Sequence, residues 1–389
     1  MNKTDKMNKY IKLLKYLLIN VISTIPICIY IITLNNIDTS YIFPIFLNIN
    51  IFISFYLFCF SVMFHINNFD KRVVLMTFLS FLLISLIAVF SNISFNYVYM
   101  PPSNTPDFQV LLNRFIFFNI IFFVILMLSY NSFNAANTDK IADFFTVFGD
   151  TFLWFLIINM ASSTVLSILF YSLFIVGFSV MALFSAETEI GFLIAKFVIC
   201  MFIFIYGFIP FVSYIIYTKT KSIISIYVSR ALLVFNLFAM FIMLFFIFIY
   251  ESSPYNNRAV YIIYNMVLAF TVTSLMFTRM DKKSNIFIKA MYLITPLFAA
   301  IFALLTITVS IYRIANFGIT PNKLVLIILN IIFLIHLIFI SINTVISFRN
   351  RLDNSTLNIV ISNKPLLFIY VYLLFSLFVC FVIPIIYIN

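Results

Sequence analysis

"KLVLIILNIIFLIHLIFISINTVISF", Lys323–Phe348, decides the fold. From Leu324 to Phe348 it carries no formal charge, and its polar side chains are limited to Asn330, His336, Ser341, Asn343, Thr344 and Ser347. An apolar stretch of this length reads as a helix crossing a bilayer. At 1.5 Å rise per residue, roughly 20 residues cover a hydrocarbon core about 30 Å thick, and a helix satisfies its own backbone there. The rest of the chain repeats the pattern: of 389 residues, 64% are hydrophobic and 9% charged, with a mean hydropathy of +1.16. A soluble domain has roughly 25% charged residues.

Segmenting the chain at charges and turn residues predicts an all-α, polytopic integral membrane helix bundle. Its 11 transmembrane helices are expected near 12–33, 43–64, 73–95, 113–131, 150–183, 190–217, 226–250, 259–279, 286–311, 323–348 and 365–388. The connections are short, so residues 1–389 read as a single polytopic membrane domain. Residues 1–11 are a short basic cytoplasmic tail holding Lys3, Lys6 and Lys9. The apolar run after it ends in Thr-Leu-Asn-Asn with no small-residue cleavage site, which reads as a retained first helix.

Orientation follows from the cations, since cytoplasmic loops carry the Lys and Arg excess. With the N-terminus inside and the C-terminus outside, Arg114, Arg258, Arg313 and Lys323 fall outside, Lys196 lies within a span, and the other cations face the cytoplasm. Splitting the long segment 150–183 into two spans would turn the Lys-rich loops around Lys219 and Lys282 outward, so one tilted or bent helix is expected, with Ser162-Ser163-Thr164 as a bending point. Before it, 139–149 places Ile141, Phe144, Phe145 and Phe148 on one face, the pattern of a short interfacial helix.

Intramembrane polar residues are the default functional candidates. Lys196 lies near the outer end of its span, within snorkelling reach of Glu187 or Glu189. His336 and Asn343 are seven residues apart and share a helix face, with Asn330 on a neighbouring line, a pattern that suits hydrogen bonding between helices. No acidic residue is expected at mid-span, which speaks against proton coupling through a carboxylate. Pro26, Pro210, Pro296 and Pro384 are expected to disturb their helices.

The stretch "RIANFGITPNK", Arg313–Lys323, joins the ninth and tenth expected spans as an outer turn. Gly318 suits a positive φ, while Thr320 and Pro321 read as a cap and first helical residue. Arg313 and Lys323 either anchor the helix ends or converge on an anionic group such as a carboxylate, phosphate or lipid headgroup. The stretch resembles the Arg-Ile-x-x-Tyr-Gly-x-Thr-x-x-Arg signature of bacterial multi-pass proteins grouped as domain of unknown function 4153, and "SRALLVFNLFAMFIMLFFIFIYE" (Ser229–Glu251) and "VLAFTVTSLMF" (Val267–Phe277) are similar in character. Arg313, Ile314, Gly318 and Thr320 fit; Phe317 stands where Tyr is usual, and Lys323 where Arg is usual. The resemblance implies a bacterial cytoplasmic (inner) membrane protein and carries no activity with it.

Catalytic and metal sites are not indicated. No Walker, HExxH, GxSxG or dinucleotide pattern occurs, His65 and His336 stand apart, and Cys28, Cys59, Cys200 and Cys380 have neither metal nor redox spacing, so no cofactor is expected. The net charge of +11 reads as topology signals and anionic-lipid contacts of a bilayer protein, not as nucleic-acid binding. Three readings stay open: a permease-like transporter of a small or anionic solute, a scaffold, assembly or sensor subunit with a membrane protein partner, and an enzyme or carrier acting on an anionic or lipid-linked substrate at the outer leaflet.

Overall fold

A computed structural model describes residues 15, 18–31, 39–65, 70–93, 105–175, 189–220, 224–249, 254–277, 286–353 and 364–387. The tail 1–11, Glu187 and the end of the segment 150–183 lie outside them. Every regular element among the described residues is helical. Among the described residues, seven helices are long and apolar enough to cross a membrane: Pro106–Tyr130, Thr138–Thr164, Ile224–Phe245, Arg258–Phe277, Ala290–Phe317, Pro321–Ile346 and Pro365–Tyr387. Leu18–Ile31 and Ile51–Phe64 are shorter apolar helices.

The chain divides into two compact units. The first comprises Met1–Tyr99, Leu128–Phe133 and Val147–Ser222. It contains α1 (Leu18–Ile31), α2 (Thr39–Phe64), α3 (Lys71–Ile93) and α6 (Glu189–Thr220), with the end of α4 (Pro106–Tyr130) and most of α5 (Thr138–Ile175). Asp70 starts α3 by accepting the Arg72 N–H at 2.9 Å. Rings interlock the helices edge to face. Phe58 meets Phe78 at 5.2 Å between α2 and α3, and Phe60 meets Phe211 at 5.7 Å between α2 and α6. The Ser54 and Ser85 hydroxyls bond to each other across α2 and α3. Between α1 and α6, the Cys28 thiol donates to the Cys200 carbonyl at 3.9 Å and the Cys200 thiol to the Cys28 carbonyl at 3.8 Å.

At Gly207, α6 packs closely against α1. A Cβ there would lie 2.7 Å from Thr24 Cγ2, and the Thr24 hydroxyl is held by the carbonyls of Asn20 and Val21 at 3.1 and 3.2 Å, which resists rotation of the methyl. Gly207→Ala is therefore expected to part the two helices and to destabilise by about 1–3 kcal/mol, read as a lower unfolding midpoint of the purified protein. An unchanged midpoint would show that α1 gives way freely.

Beyond α2, the buried His65 holds its Nε2 3.1 Å from the Ser129 carbonyl, and Thr77 donates to the Ser129 hydroxyl at 2.9 Å. Burial pushes the imidazole below its usual value of 6.5, against the opposing pull of the Ser129 carbonyl and Asp70. The folded chain thus binds this proton more weakly than the unfolded chain, so the contribution to stability is complete above about pH 6.5 and is lost as pH falls from there through the folded value. An unfolding midpoint that declines with acidification in this window, and declines less in His65→Gln, is the expected result.

The second unit comprises Met100–Met127, Asn134–Thr146 and Ile223–Asn389. It holds most of α4, the start of α5, α7 (Ile224–Ile249), α8 (Arg258–Phe277), α9 (Ile286–Phe317), α10 (Pro321–Asp353), α11 (Phe368–Leu377) and α12 (Ile383–Tyr387). Its core gathers Leu268, Val272, Ala299, Phe302, Ala303, Leu337 and Tyr372 from α8 to α11. Tyr264 stacks on Phe302 at 4.9 Å and gives its hydroxyl proton to the Met243 carbonyl at 2.7 Å. The small Ala299 and Ala303 admit this close approach. In contrast, Phe235, Phe238, Phe241 and Phe245 of α7 are exposed, as a lipid-facing helix requires.

Three sequence expectations change. The segment 139–149 is not set apart: it forms the first turns of α5, started by Asn137, whose side chain accepts the Lys140 N–H at 3.0 Å. Its apolar face is packed, with Phe145 5.1 Å from Phe277. Because the helix begins at Thr138, Asp150 falls midway along the apolar segment Thr138–Thr164 and is fully buried, so an acid does stand at mid-span. Likewise α4 begins at Pro106 behind the Thr105 cap, which places Arg114 inside the helix at 2% exposure instead of in an outer loop. Cap residues upstream of these charges set the helix starts, and segmenting at charged residues passes over them.

Of the helix prolines, Pro210 and Pro296 lie within continuous helices. Pro384 follows a π-helical segment, Phe378–Val382, that links α11 to α12. The wider turn makes room for a ring that would otherwise meet the carbonyl one turn back.

Candidate functional site

The turn between α9 and α10 is built from its own ends. Gly318 has φ +72°, Thr320 accepts the Lys323 N–H at 3.5 Å, and Pro321 opens α10. The Lys323 ammonium reaches back and donates to the carbonyls of Arg313, Phe317 and Gly318 at 3.3, 3.0 and 2.7 Å. It thus closes the C-terminus of α9, where carbonyls have no helical partner and the dipole is negative. Its three donors match three converging acceptors.

Arg313 is buried. One guanidinium nitrogen donates to the Tyr255 carbonyl at 3.1 Å, and its charge lies over the rings of Tyr261 and Phe317 at 5.5 and 5.4 Å. Lys323 lies within electrostatic reach of both Arg313 and Arg258. From α4, Asn113 donates to the Asn322 side chain at 2.8 Å, tying a third helix to the turn. The positive charges therefore gather at one end of the unit, while the direct bonds of Arg313 and Lys323 go to backbone carbonyls.

Below this end a line of polar groups enters the bundle. The Tyr261 and Ser310 hydroxyls are 2.7 Å apart, Asn265 donates to the Tyr261 carbonyl at 2.7 Å, and Asn330 donates to Asn265 Oδ1 at 2.8 Å. Asn330 is fully buried, and its Oδ1 accepts no hydrogen bond from the chain. The arrangement joins α8, α9 and α10 through side chains that can donate and accept, within helices otherwise apolar. Such a line orders the three helices and offers hydrogen bonds to a polar molecule entering from the positive end.

His336 stands deeper and separately. Its Nδ1 lies 2.8 Å from the Tyr372 hydroxyl, and its ring stacks on Phe368 at 4.4 Å. Asn343 does not join it in a shared contact among the bonds described: its Nδ2 turns to the Phe339 carbonyl of its own helix at 2.8 Å. Lys196 is half-buried in α6, and the acids expected to receive it lie outside the described side chains. The structure thus brings Arg313, Gly318, Thr320, Pro321 and Lys323 together, sets Asn330 below them, and leaves Lys196, His336 and Asn343 elsewhere.

Sequence reasoning passed over Tyr261, Asn265 and Ser310. The i, i+4 spacing of Tyr261 and Asn265, and Ser310 lying one turn from Arg313, were the available signals, hidden in helices with many scattered hydroxyls. Among the described residues no group of three or more His, Cys, Asp or Glu could hold a metal ion.

Fold and site together define an α-helical membrane bundle with a polar line inside one of its units. No family model, curated protein or solved structure matches the chain.

Proposed function

We propose that the chain is a permease-like transporter of a small or anionic solute in the bacterial cytoplasmic membrane, with 11 spans, an inner N-terminus and an outer C-terminus, as its resemblance to bacterial inner-membrane proteins and its cation distribution suggest. One observation carries the reading: Tyr261, Asn265 and Asn330 form a hydrogen-bonded line within apolar helices, beneath the positive end made by Arg258, Arg313 and Lys323. A buried amide whose oxygen finds no donor costs free energy in an apolar medium. The Asn330 Nδ2 ties α10 to α8 through Asn265, while its Oδ1 is an acceptor that no donor of the chain meets. A site for a polar solute uses it, and the cations raise the local concentration of anions.

Reconstitution into liposomes tests this. Saturable flux of a small carboxylate or phosphate, weakened by salt and by Arg313→Ala, is expected. Absence of flux for both anions and small neutral solutes, with properly inserted protein, would remove the reading.

One observation favours a membrane scaffold or assembly subunit instead. Arg313 and Lys323 are bonded to carbonyls of their own unit, which suits a structural joint as well as an anion site. A stoichiometric membrane protein partner that co-purifies with the chain and is lost on its deletion would support that alternative.

A further inference from the structure

In the first unit a different polar group lies where α1, α2 and α6 meet. Asn20 of α1 is fully buried, and neither its Oδ1 nor its Nδ2 has a hydrogen-bond partner in the chain. Gly207 of α6 faces it: a Cβ there would be 3.7 Å from Asn20 Oδ1 and 3.9 Å from Tyr56 Cε2. The Tyr56 hydroxyl donates to the Gly207 carbonyl at 2.8 Å and keeps its oxygen lone pairs to accept. Thr24 gives its proton to the Asn20 carbonyl at 3.1 Å and likewise keeps acceptor capacity.

The chemistry at this junction is uncharged, with the donors of an amide nitrogen beside several oxygen acceptors. A bare cation would meet the Asn20 oxygen but be repelled by its N–H groups. An anion would meet the N–H groups and be repelled by the oxygens. One hydroxyl satisfies both, since it accepts through its oxygen and donates its proton. Size points the same way: the helices are tight here, a Cβ at Gly207 already lying 2.7 Å from Thr24 Cγ2, so the junction suits nothing larger than one hydroxyl.

We infer that Asn20, with Tyr56 and Thr24, forms a binding site for a small uncharged O–H molecule, either water or the hydroxyl of a solute, at the junction of α1, α2 and α6. The binding itself does not depend on transport; only a passing solute as the source of the hydroxyl rests on the permease reading.

X-ray radiolytic labelling of the full-length protein in nanodiscs tests it, because hydroxyl radicals formed from a bound water oxidise the adjacent ring of Tyr56. Strong labelling of Tyr56 in the parent, a severalfold drop in Asn20→Leu and retention in Asn20→Ser, which restores a hydroxyl, are expected. Labelling that ignores the substitution overturns the site. If Asn20→Leu does not fold, Asn20→Val, apolar and close to the volume of Asn, gives the same comparison.

The unfolding midpoint supplies a second decision. If the amide is satisfied by a bound molecule, Asn20→Leu does not raise the midpoint; a raised midpoint shows that the amide was uncompensated and overturns the inference. Glycerol added during labelling, with the tyrosines elsewhere in the chain as the reference for radical scavenging, separates the sources: protection of Tyr56 beyond that reference identifies a solute hydroxyl, and no excess protection identifies water. Solute flux measured on the same preparations shows independently whether the permease reading holds.

Discussion

Lys323→Met lowers the unfolding midpoint of the purified protein, with an expected loss of about 1–2 kcal/mol. The methionine keeps much of the length and apolar character of the side chain while removing the donors that reach the carbonyls of Arg313, Phe317 and Gly318. Charge-assisted hydrogen bonds contribute roughly 1.5–3 kcal/mol when buried, and the partial exposure of this ammonium reduces that figure. Lys323→Arg is expected to recover only part of the loss, because a planar fork cannot direct donors to three carbonyls as a tetrahedral ammonium does. The Lys that departs from the resembled signature thus has a local use. Equal midpoints for parent and Lys323→Met in thermal unfolding would show that the three bonds are dispensable.

On the proposed permease reading, Asn330→Leu is expected to reduce solute flux by at least ~tenfold, which corresponds to about 1.4 kcal/mol, while destabilising the protein by only ~0.6–2 kcal/mol. The substitution removes the donor to Asn265 Oδ1 and interrupts the polar line from Tyr261. The two effects separate in a double-mutant cycle. Pairing it with Asn265→Leu removes both partners, so much of the stability returns, but flux does not. Restored flux in the double variant would mean that the pair serves only to join α8 and α10.

Much of the turn was legible because its chemistry is local. Gly318 is the residue best suited to the positive φ observed, and Thr320 and Pro321 are a cap and a first helical residue. The polar groups of the interior were legible only as residue types. His336 and Asn343 share a helix spacing, yet His336 meets Tyr372 across to α11 while Asn343 donates to the Phe339 carbonyl of its own helix. Arg114 and Asp150 were misplaced for another reason: segmenting the chain at charged residues cuts a helix at each of them, whereas Thr105 and Asn137 start these helices further upstream.

The sequence by itself determined that this chain forms long apolar helices suited to a bilayer, since nothing but burial in lipid or protein suits such a composition and backbone bonding in lipid leaves few alternatives to the helix. It also determined the joint at Gly318, where steric freedom at one residue suffices. Only the tertiary structure decided that Asn330 meets Asn265, that Asn20 lies against Gly207, and that the ammonium of Lys323 closes α9. Apolar helices without a strong polar face carry little record of which side turns inward, so that choice depends on the shapes and hydrogen bonds of neighbouring helices.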